Sequence, residues 1–232
     1  MSHEASIHQT QVDILRELLF TPDASFSDLR KVTGLESDHF KFHIGRLNEL
    51  GYVERLARGR YSLSAKGKEY ANKLDTDERT IERQPKSAVI LVIEHEGRYL
   101  VQERLKHPYF GYYGFPGGKI RWGETIIEAG QRELLEETGL AAELTYRGVY
   151  HEHVQSAEDG NVIEDKIFHV VYGTDPTNEL IENFEGGRNV WMTLREIADE
   201  DKVYKSFDIE LAVGTGQKQF VEATQIYAKH EF

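Results

Sequence analysis

Apolar and polar positions change their spacing partway along the chain, from a helical period to the alternation of strands. In residues 9–20 the apolar side chains recur every three or four positions, which predicts an amphipathic helix. Serine before and glycine after similar segments mark where further helices begin and end. In chain order the pattern predicts three helices, two short strands and a closing helix: residues 9–20, 25–34, 37–50, 52–56, 60–64 and 66–74.

A different pattern begins after a polar stretch. Residues 76–86 contain almost no apolar side chains and predict a linker between a domain at 1–75 and a domain at 87–232. The apolar run Ala88–Ile93 predicts a buried strand, and Arg98–Arg104 its hairpin partner. A helix, strands near 142–152, 162–172 and 189–192, and one or two C-terminal helices follow. The chain is therefore predicted to be an α+β protein of two domains.

The first domain resembles a winged helix-turn-helix. Three helices, a β-ribbon and a helix follow one another, and the stretches Leu47–Arg55 and Leu63–Gly67 are similar to those of bacterial and archaeal regulators. The resemblance implies DNA as a partner, with dimerisation as the alternative role. The third helix also carries acidic residues, so its surface is mixed rather than basic. The residues expected to contact DNA are Lys41, Arg46, Arg58 and Arg60.

Composition and charge narrow the classes of function. The chain has 232 residues, a net charge of −12 and no cysteine, which excludes disulfides, thiolate zinc sites and cysteine nucleophiles. Residues 1–75 are electrically neutral, so all of the excess negative charge lies in the remainder, where it favours divalent cations over nucleic acid. Without a membrane span or a secretory signal, a cytoplasmic protein that avoids membranes is expected.

One segment, Gly118–Leu140, carries the chemistry. It contains glycine, five residues, Glu124, seven residues, Arg-Glu, an aliphatic, any residue, Glu-Glu, any residue, and Gly139 followed by an aliphatic. The last three glutamates stand at i, i+3 and i+4, so they share a helix face on which like charges repel. Mg²⁺ prefers oxygen ligands, relieves such repulsion and bridges to substrate phosphates. Arg132 is placed to hold the carboxylates bidentately.

This segment fills every specified position of the Nudix box. The resemblance implies an α/β/α sandwich around a mixed sheet, and Mg²⁺-dependent (or Mn²⁺-dependent) hydrolysis of a nucleoside diphosphate linked to a group X, releasing a nucleoside monophosphate. It assigns catalysis to Glu133, Glu136 and Arg132. It assigns metal binding to Glu133, Glu136, Glu137 and Glu124, and in the MutT-like branch to a loop glutamate, here Glu185 with Glu182 and Glu179 as rivals.

The residues around the start of the box are expected to contact the substrate. They are Gly117, Gly118, Lys119, Tyr112 and Trp122, the two aromatics by stacking on a base, whereas Phe115 is expected in the core. The segments flanking the box match no substrate class, so a nucleoside triphosphate, a nucleotide sugar and an ADP-ribose type of substrate all stay open. His151 and His153 share one strand face and are assigned no role.

Two functions follow from this pairing of domains. The first is a nucleotide hydrolase, expected as a homodimer, with an appended winged helix. The second is a transcription regulator whose Nudix domain senses a nucleotide-derived ligand. Sensors often lose box glutamates, and this chain has all of them, which favours catalysis.

Overall fold

A computed structural model describes residues 7–74 and 83–231 of the chain. They divide into two compact units, with the boundary between Arg83 and Gln84. Most of the predicted linker, 76–82, lies outside the described residues, and its last residue, Lys86, already begins a strand. The domain boundaries at 75 and 87 stay a prediction.

The first unit is helical with a small sheet. Three strands form an antiparallel sheet in the order β1-β3-β2, and the helices bury an apolar core that includes Leu15, Phe40 and Leu47. Ser37, the residue predicted to cap the third helix, is instead its first helical residue, and Glu36 occupies the cap position. The elements are α1 (Gln9–Phe20), β1 (Ala24–Ser25), α2 (Phe26–Thr33), α3 (Ser37–Glu49), β2 (Val53–Arg55), β3 (Arg60–Leu63) and α4 (Ala65–Ala71).

The second unit is built on a mixed sheet in the order β10-β11-β5-β4-β9-β8-β12. The pairs β4–β9 and β8–β12 are parallel, and the others are antiparallel. The elements are β4 (Lys86–His95), β5 (Arg98–Arg104), β6 (Tyr113–Gly114), β7 (Gly117–Lys119), α5 (Ile126–Thr138), β8 (Thr145–Ser156), β9 (Val162–Thr174), β10 (Asn183–Phe184), β11 (Gly187–Met192), α6 (Leu194–Ala198), α7 (Phe207–Gly214) and β12 (Phe220–Tyr227).

Helices cover both faces of this sheet, as the alternation of β4 requires. Its residues Leu91 and Ile93 pack with Leu134 of α5, whereas Ile90 and Val92 pack in the cluster that contains α7. A strand with buried residues on both faces appears as a continuous apolar run, which explains the pattern at Ala88–Ile93. Among the described helices, none has the length and apolarity needed to cross a membrane.

The strands β4 and β5 pair only next to their turn, at residues 94–95 and 98–99. Beyond that point β7 takes the edge of β4, with Val89 opposite Gly118, and β6 takes the edge of β5. The two long strands therefore diverge, and the short strands between them bring the loop before α5 into the sheet. This divergence makes room for a cleft.

Candidate active site

Gly118 on β7 faces the side chain of Glu133 on α5. A Cβ at position 118 would lie 2.1 Å from the carboxyl carbon of Glu133, closer than any side chain allows. At Gly117 a Cβ would lie 2.4 Å from the backbone oxygen of Val89. The two glycines therefore let strand and helix approach closely enough for Glu133 to sit against the sheet.

The helix that carries the glutamates is fixed at both ends and along one side. Thr125 and Glu128 form a capping box at its start, and Gly139, with φ +74°, ends it in the left-handed region. Gly130 lies so close to the core that a Cβ there would be 3.0 Å from Leu144 Cδ1. The acidic face is thereby held at a defined angle to the sheet.

Arg132 holds two of the acidic side chains. Its Nε and Nη2 donate to the two carboxylate oxygens of Glu124 at 2.5 and 2.7 Å, and its Nη1 donates to Glu133 Oε1 at 2.5 Å. Hydrogen bonding from this guanidinium lowers the pKa of Glu124 to about 2. Bidentate contacts of this kind fix side-chain geometry as well as charge. Arg132 is thus the anchor of the acidic cluster.

The remaining two glutamates have different surroundings. Glu136 is exposed and accepts from Arg121 Nη2 at 2.9 Å. Glu137 is partly buried and accepts from Gln102 Nε2 at 3.0 Å. Burial raises the pKa of Glu137, and the neighbouring charge of Glu133 raises it further. Glu137 is therefore a carboxylate that a nearby cation would stabilise.

A cleft of about 640 Å³ lies between the diverging strands. Glu133 and Glu137 both line it, and so do basic side chains from β5 and the loops around it. Carboxylates beside cations can hold a divalent ion together with the phosphates that the ion bridges. The sequence-predicted residues that line the cleft are Gly117, Gly118, Lys119, Glu133 and Glu137.

Comparison with known proteins identifies this arrangement. A family model described as NUDIX domain matches residues 83–210, more than half of the chain. The chain belongs to the Nudix family. This confirms the predicted resemblance of the second domain to the Nudix family and supports the expected class, a Nudix-type pyrophosphohydrolase.

Two curated relatives and one solved structure show how far the Nudix similarity extends. An ADP-ribose pyrophosphatase of Methanocaldococcus jannaschii is 35% identical over 95 residues, 39% of this chain and 56% of that protein. An isopentenyl-diphosphate Delta-isomerase of Serratia proteamaculans is 29% identical over 145 residues, 55% of this chain and 78% of that protein. The chain thus spans little more than half of the first relative's length.

The solved structure is a mutator MutT protein from Bacillus halodurans. It superposes with a TM-score of 0.52 at 18% identity, over 63% of this chain and 93% of that chain. At this level of identity the likeness shows the fold alone. The mixed sheet of the second unit is therefore of the Nudix type.

The structure places Tyr112 in the core, contrary to the expectation that it stacks on a base. It is 7% exposed and packs among Tyr109, Tyr204 and Tyr227, and its hydroxyl donates to Glu231. Burial on this scale leaves no free ring face for a ligand.

Trp122 and the three loop glutamates predicted for the site lie on the surface. Trp122 is 98% exposed, and neither it nor Glu185 is among the described residues that line the cleft, although Phe184 and Gly186 beside Glu185 are. The rivals Glu179 and Glu182 are exposed as well. Phe115 lies in the core against Phe207, as expected.

Cationic and polar residues of the cleft were missed by the motif. Gln102 and Arg104 stand two positions apart on β5, and both line the cleft. Lys106, two residues later, lines it as well. Arg104 and Lys106 lower the pKa of Glu137 against its burial, so their charges lie near that carboxylate. In the sequence, Gln102 and Arg104 stand two positions apart on the predicted strand 98–104, so they share one face of it.

The floor of the cleft is a network of buried charges. Lys166 Nζ lies 2.8 Å from Glu152 and 3.0 Å from Glu164, and Tyr109 donates to Glu164 at 2.9 Å. Glu210 of α7 accepts from Ser206 at 2.8 Å, and burial raises its pKa to about 7. A buried charge is stable only with a partner, and in this network Lys166 and the carboxylates of Glu152 and Glu164 are partners of each other. In the sequence, this network was indicated by Glu152, a charged residue on the same strand face as the apolar residues Tyr150 and Val154.

Proposed function

We propose that this chain is a divalent-metal-dependent Nudix pyrophosphohydrolase. Its substrate is a nucleoside diphosphate linked to a second group, and its product is a nucleoside monophosphate. The observation that supports this is the meeting of Glu133 and Glu137 with Arg104 and Lys106 around one cleft. Phosphoryl chemistry requires carboxylates that bind a metal ion and cationic side chains that bind phosphates.

The donor set fits Mg²⁺, with Mn²⁺ as an alternative. Glu133 and Glu137 supply two partly buried carboxylates, and Mg²⁺ is usually held by one or two carboxylates together with waters and phosphates. Glu136 would join as a ligand only after leaving Arg121. When bound, the ion neutralises charge on the diphosphate and lowers the pKa of the attacking water.

The chain's own residues position the reacting groups. Arg132 sets the rotamer of Glu133 and, through its bidentate bonds, that of Glu124, so both oxygens of Glu124 are engaged. Glu133 and Glu136 are the proposed acids of catalysis, and Arg132 acts through them as a positioning residue. Lys119 lines the cleft beside Gly118, where it would contact a phosphate oxygen.

ADP-ribose is the first substrate to test. The archaeal relative, which is 35% identical over its matched part, is an ADP-ribose pyrophosphatase. Nucleoside triphosphates and nucleotide sugars contain the same type of anhydride and form the other arms of the panel. The floor of buried carboxylates and Lys166 would meet the part of the substrate away from the metal.

Glu137→Gln tests the proposal. The variant removes a metal-binding charge but keeps an acceptor for Gln102, so the fold should be retained. We expect Mg²⁺-dependent release of nucleoside monophosphate from the best substrate to fall about 100-fold or more. Glu200→Gln, an exposed acid away from the cleft, is the matched control. Equal turnover by wild type and Glu137→Gln would refute the assignment.

A second proposal concerns the first unit. We propose that it is a winged helix that binds DNA and that the Nudix domain then also senses a nucleotide-derived ligand. The supporting observation is the order of its elements, with exposed Lys41 on α3 and exposed Arg58 between β2 and β3. A homodimer would present two such helices to a symmetric site.

Two of the basic residues predicted to contact DNA are engaged elsewhere. Arg60 donates through Nε to Asp23 at 2.6 Å, and Arg46 lies 3.2 Å from Glu49. The carboxylates of Asp23 and Glu49 neutralise the positive charges that would otherwise attract a DNA phosphate. Lys41 and Arg58 therefore carry the proposal.

A further inference from the structure

A second cluster of metal-ligating side chains lies on β8 and β9, outside the cleft. His151 Nε2 is 2.9 Å from Asp165 Oδ1, and His153 Nε2 is 3.6 Å from Asp165 Oδ2. One ligand atom from each of the three residues falls within 4.8 Å of the others. Among residues 7–74 and 83–231 this is the one group of three such side chains so closely gathered.

The register of the sheet places this cluster on the face opposite Glu152 and Lys166. His153 pairs directly with Asp165, and Glu152 pairs with Lys166. Successive side chains of a strand point to opposite faces. Glu152 and Lys166 lie on the face that α7 covers, so the two histidines and Asp165 lie on the other face, which α5 covers at Val171. None of the three residues lines the cleft that Glu133 and Glu137 share, so the cluster is a second group of possible ligands on the α5 face.

The spacing of the ligand atoms suits a small tetrahedral ion. Ligands bound to zinc at about 2.0–2.1 Å lie about 3.3–3.4 Å apart in a tetrahedron. The two distances between imidazole nitrogen and carboxylate oxygen, 2.9 and 3.6 Å, lie on either side of that value. The two histidines face different oxygens of Asp165, and the three ligand atoms lie within 4.8 Å of one another, so rotation of these partly exposed side chains would bring them onto one ion.

A fourth residue orients one of the ligands. Glu222 on β12 lies 3.3 Å from Nδ1 of His151, the nitrogen that does not face Asp165. In metal sites a carboxylate commonly accepts the second N–H of a ligating histidine, and this fixes the tautomer that leaves Nε2 free to bind. Glu222 thus stands where a supporting carboxylate would stand.

We propose that His151, His153 and Asp165 bind a first-row transition ion of the Zn²⁺ type, with Glu222 as the orienting residue. Imidazole ligands favour such ions, whereas Mg²⁺ takes oxygen ligands. The side chains are 22%, 42% and 38% exposed, so the ion can enter from solvent and keep a water as fourth ligand. Bound there, it would tie β8 to β9 and, through Glu222, to the edge strand β12.

The test is a Zn²⁺ titration of the full chain by calorimetry in millimolar Mg²⁺, which occupies the Nudix acids. We expect one Zn²⁺ site that His153→Gln and Asp165→Asn abolish and that Glu222→Gln weakens about 10- to 100-fold. His95→Gln is the matched control, because His95 lies 3.4 Å from Asp175 without a second histidine and should bind like wild type. Zinc affinity unchanged by His153→Gln would overturn the site.

A second measurement needs no variant. Crystals of the wild-type chain grown with Zn²⁺ should show an anomalous difference peak, collected at the zinc absorption edge, between His151, His153 and Asp165. A peak confined to the Nudix glutamates would show that the histidine cluster is a set of ion pairs only. Neither result depends on the substrate of the cleft, so the metal proposal can fail while the hydrolase proposal stands.

Discussion

At the scale of single residues, the contact between Gly118 and Glu133 controls the placement of the acid. A methyl group at Gly118 would overlap the Glu133 carboxyl group and push it off the sheet. We expect Gly118→Ala to reduce turnover about 100-fold, the effect of a reacting group displaced by about 1 Å. Steady-state kinetics with the best substrate would measure the loss.

The control for this variant is Gly45→Ala on α3. Nothing lies within 4 Å of a Cβ there, and the helix tolerates alanine better than glycine. Both variants should keep the circular dichroism spectrum of wild type. If Gly118→Ala turns over substrate at the wild-type rate, the glycine does not set the position of Glu133.

Residue-level prediction from the sequence works where chemistry is tied to fixed spacing. The box predicted one shared helix face for Glu133 and Glu137 because a helix repeats every three to four residues, and both residues line the cleft. Tyr112 and Trp122 carried no such constraint, and one lies in the core while the other is on the surface. Whether an aromatic ring faces a ligand depends on what the rest of the chain packs against it.

At the scale of elements, the amphipathic helices were the most predictable. The helix α1 spans the predicted residues 9–20, α2 is one residue shorter than predicted at each end, and α3 is one residue shorter at its C-terminal end. The strand β12 was missed, since helices were expected near the C-terminus. Its residues alternate in burial as an edge strand does, but they pair in parallel with β8, more than sixty residues earlier, and local pattern does not encode such pairing.

The helix α7 carries a buried acid that makes stability depend on pH. Burial raises the pKa of Glu210 from 4.5 to about 7, so the folded chain holds this proton more tightly than the unfolded chain. Its stabilising effect is present below pH 4.5 and is lost as the pH rises through 7. Relative to Glu210→Gln, wild type should lose roughly 2–3 kcal/mol of unfolding free energy between pH 5 and 8.

Urea unfolding of both proteins at pH 5 and pH 8 measures this difference. Glu200→Gln, an exposed acid, serves as control and should follow the wild-type pH dependence. Parallel curves for wild type and Glu210→Gln would mean that Glu210 is ionised in the folded chain at neutral pH.

At the scale of the whole molecule, charge separates two units of different character. Residues 1–75 are neutral and the remainder carries the whole net charge of −12, so the charge of the second unit disfavours contact with DNA. The assembly of the second unit rests on long-range pairing, such as β4 with β9, which joins residues about eighty positions apart. Sequence patterns locate such strands but do not order them, which is why the cleft between β4 and β5 was not foreseen.

Lys41→Ala and Arg58→Ala test the DNA proposal in the full chain. Each should weaken binding to duplex DNA and reduce the slope of log affinity against log salt by about one. Arg60→Ala is the matched control, because Asp23 already holds its guanidinium, and its salt slope should equal that of wild type. Fluorescence anisotropy across a salt series gives these values. A wild type that binds no DNA at low salt would remove the regulator proposal.

The fit of Gly118 against Glu133 also bears on how such a site is inherited. Because one position supplies the space that the other fills, we expect selection to act on the two together. A lineage that replaced the glycine would lose the placement of the acid at once and could then replace the glutamate with little further loss. Descendants that have given up hydrolysis would therefore be marked by paired replacements on β7 and α5, rather than by independent drift at either position.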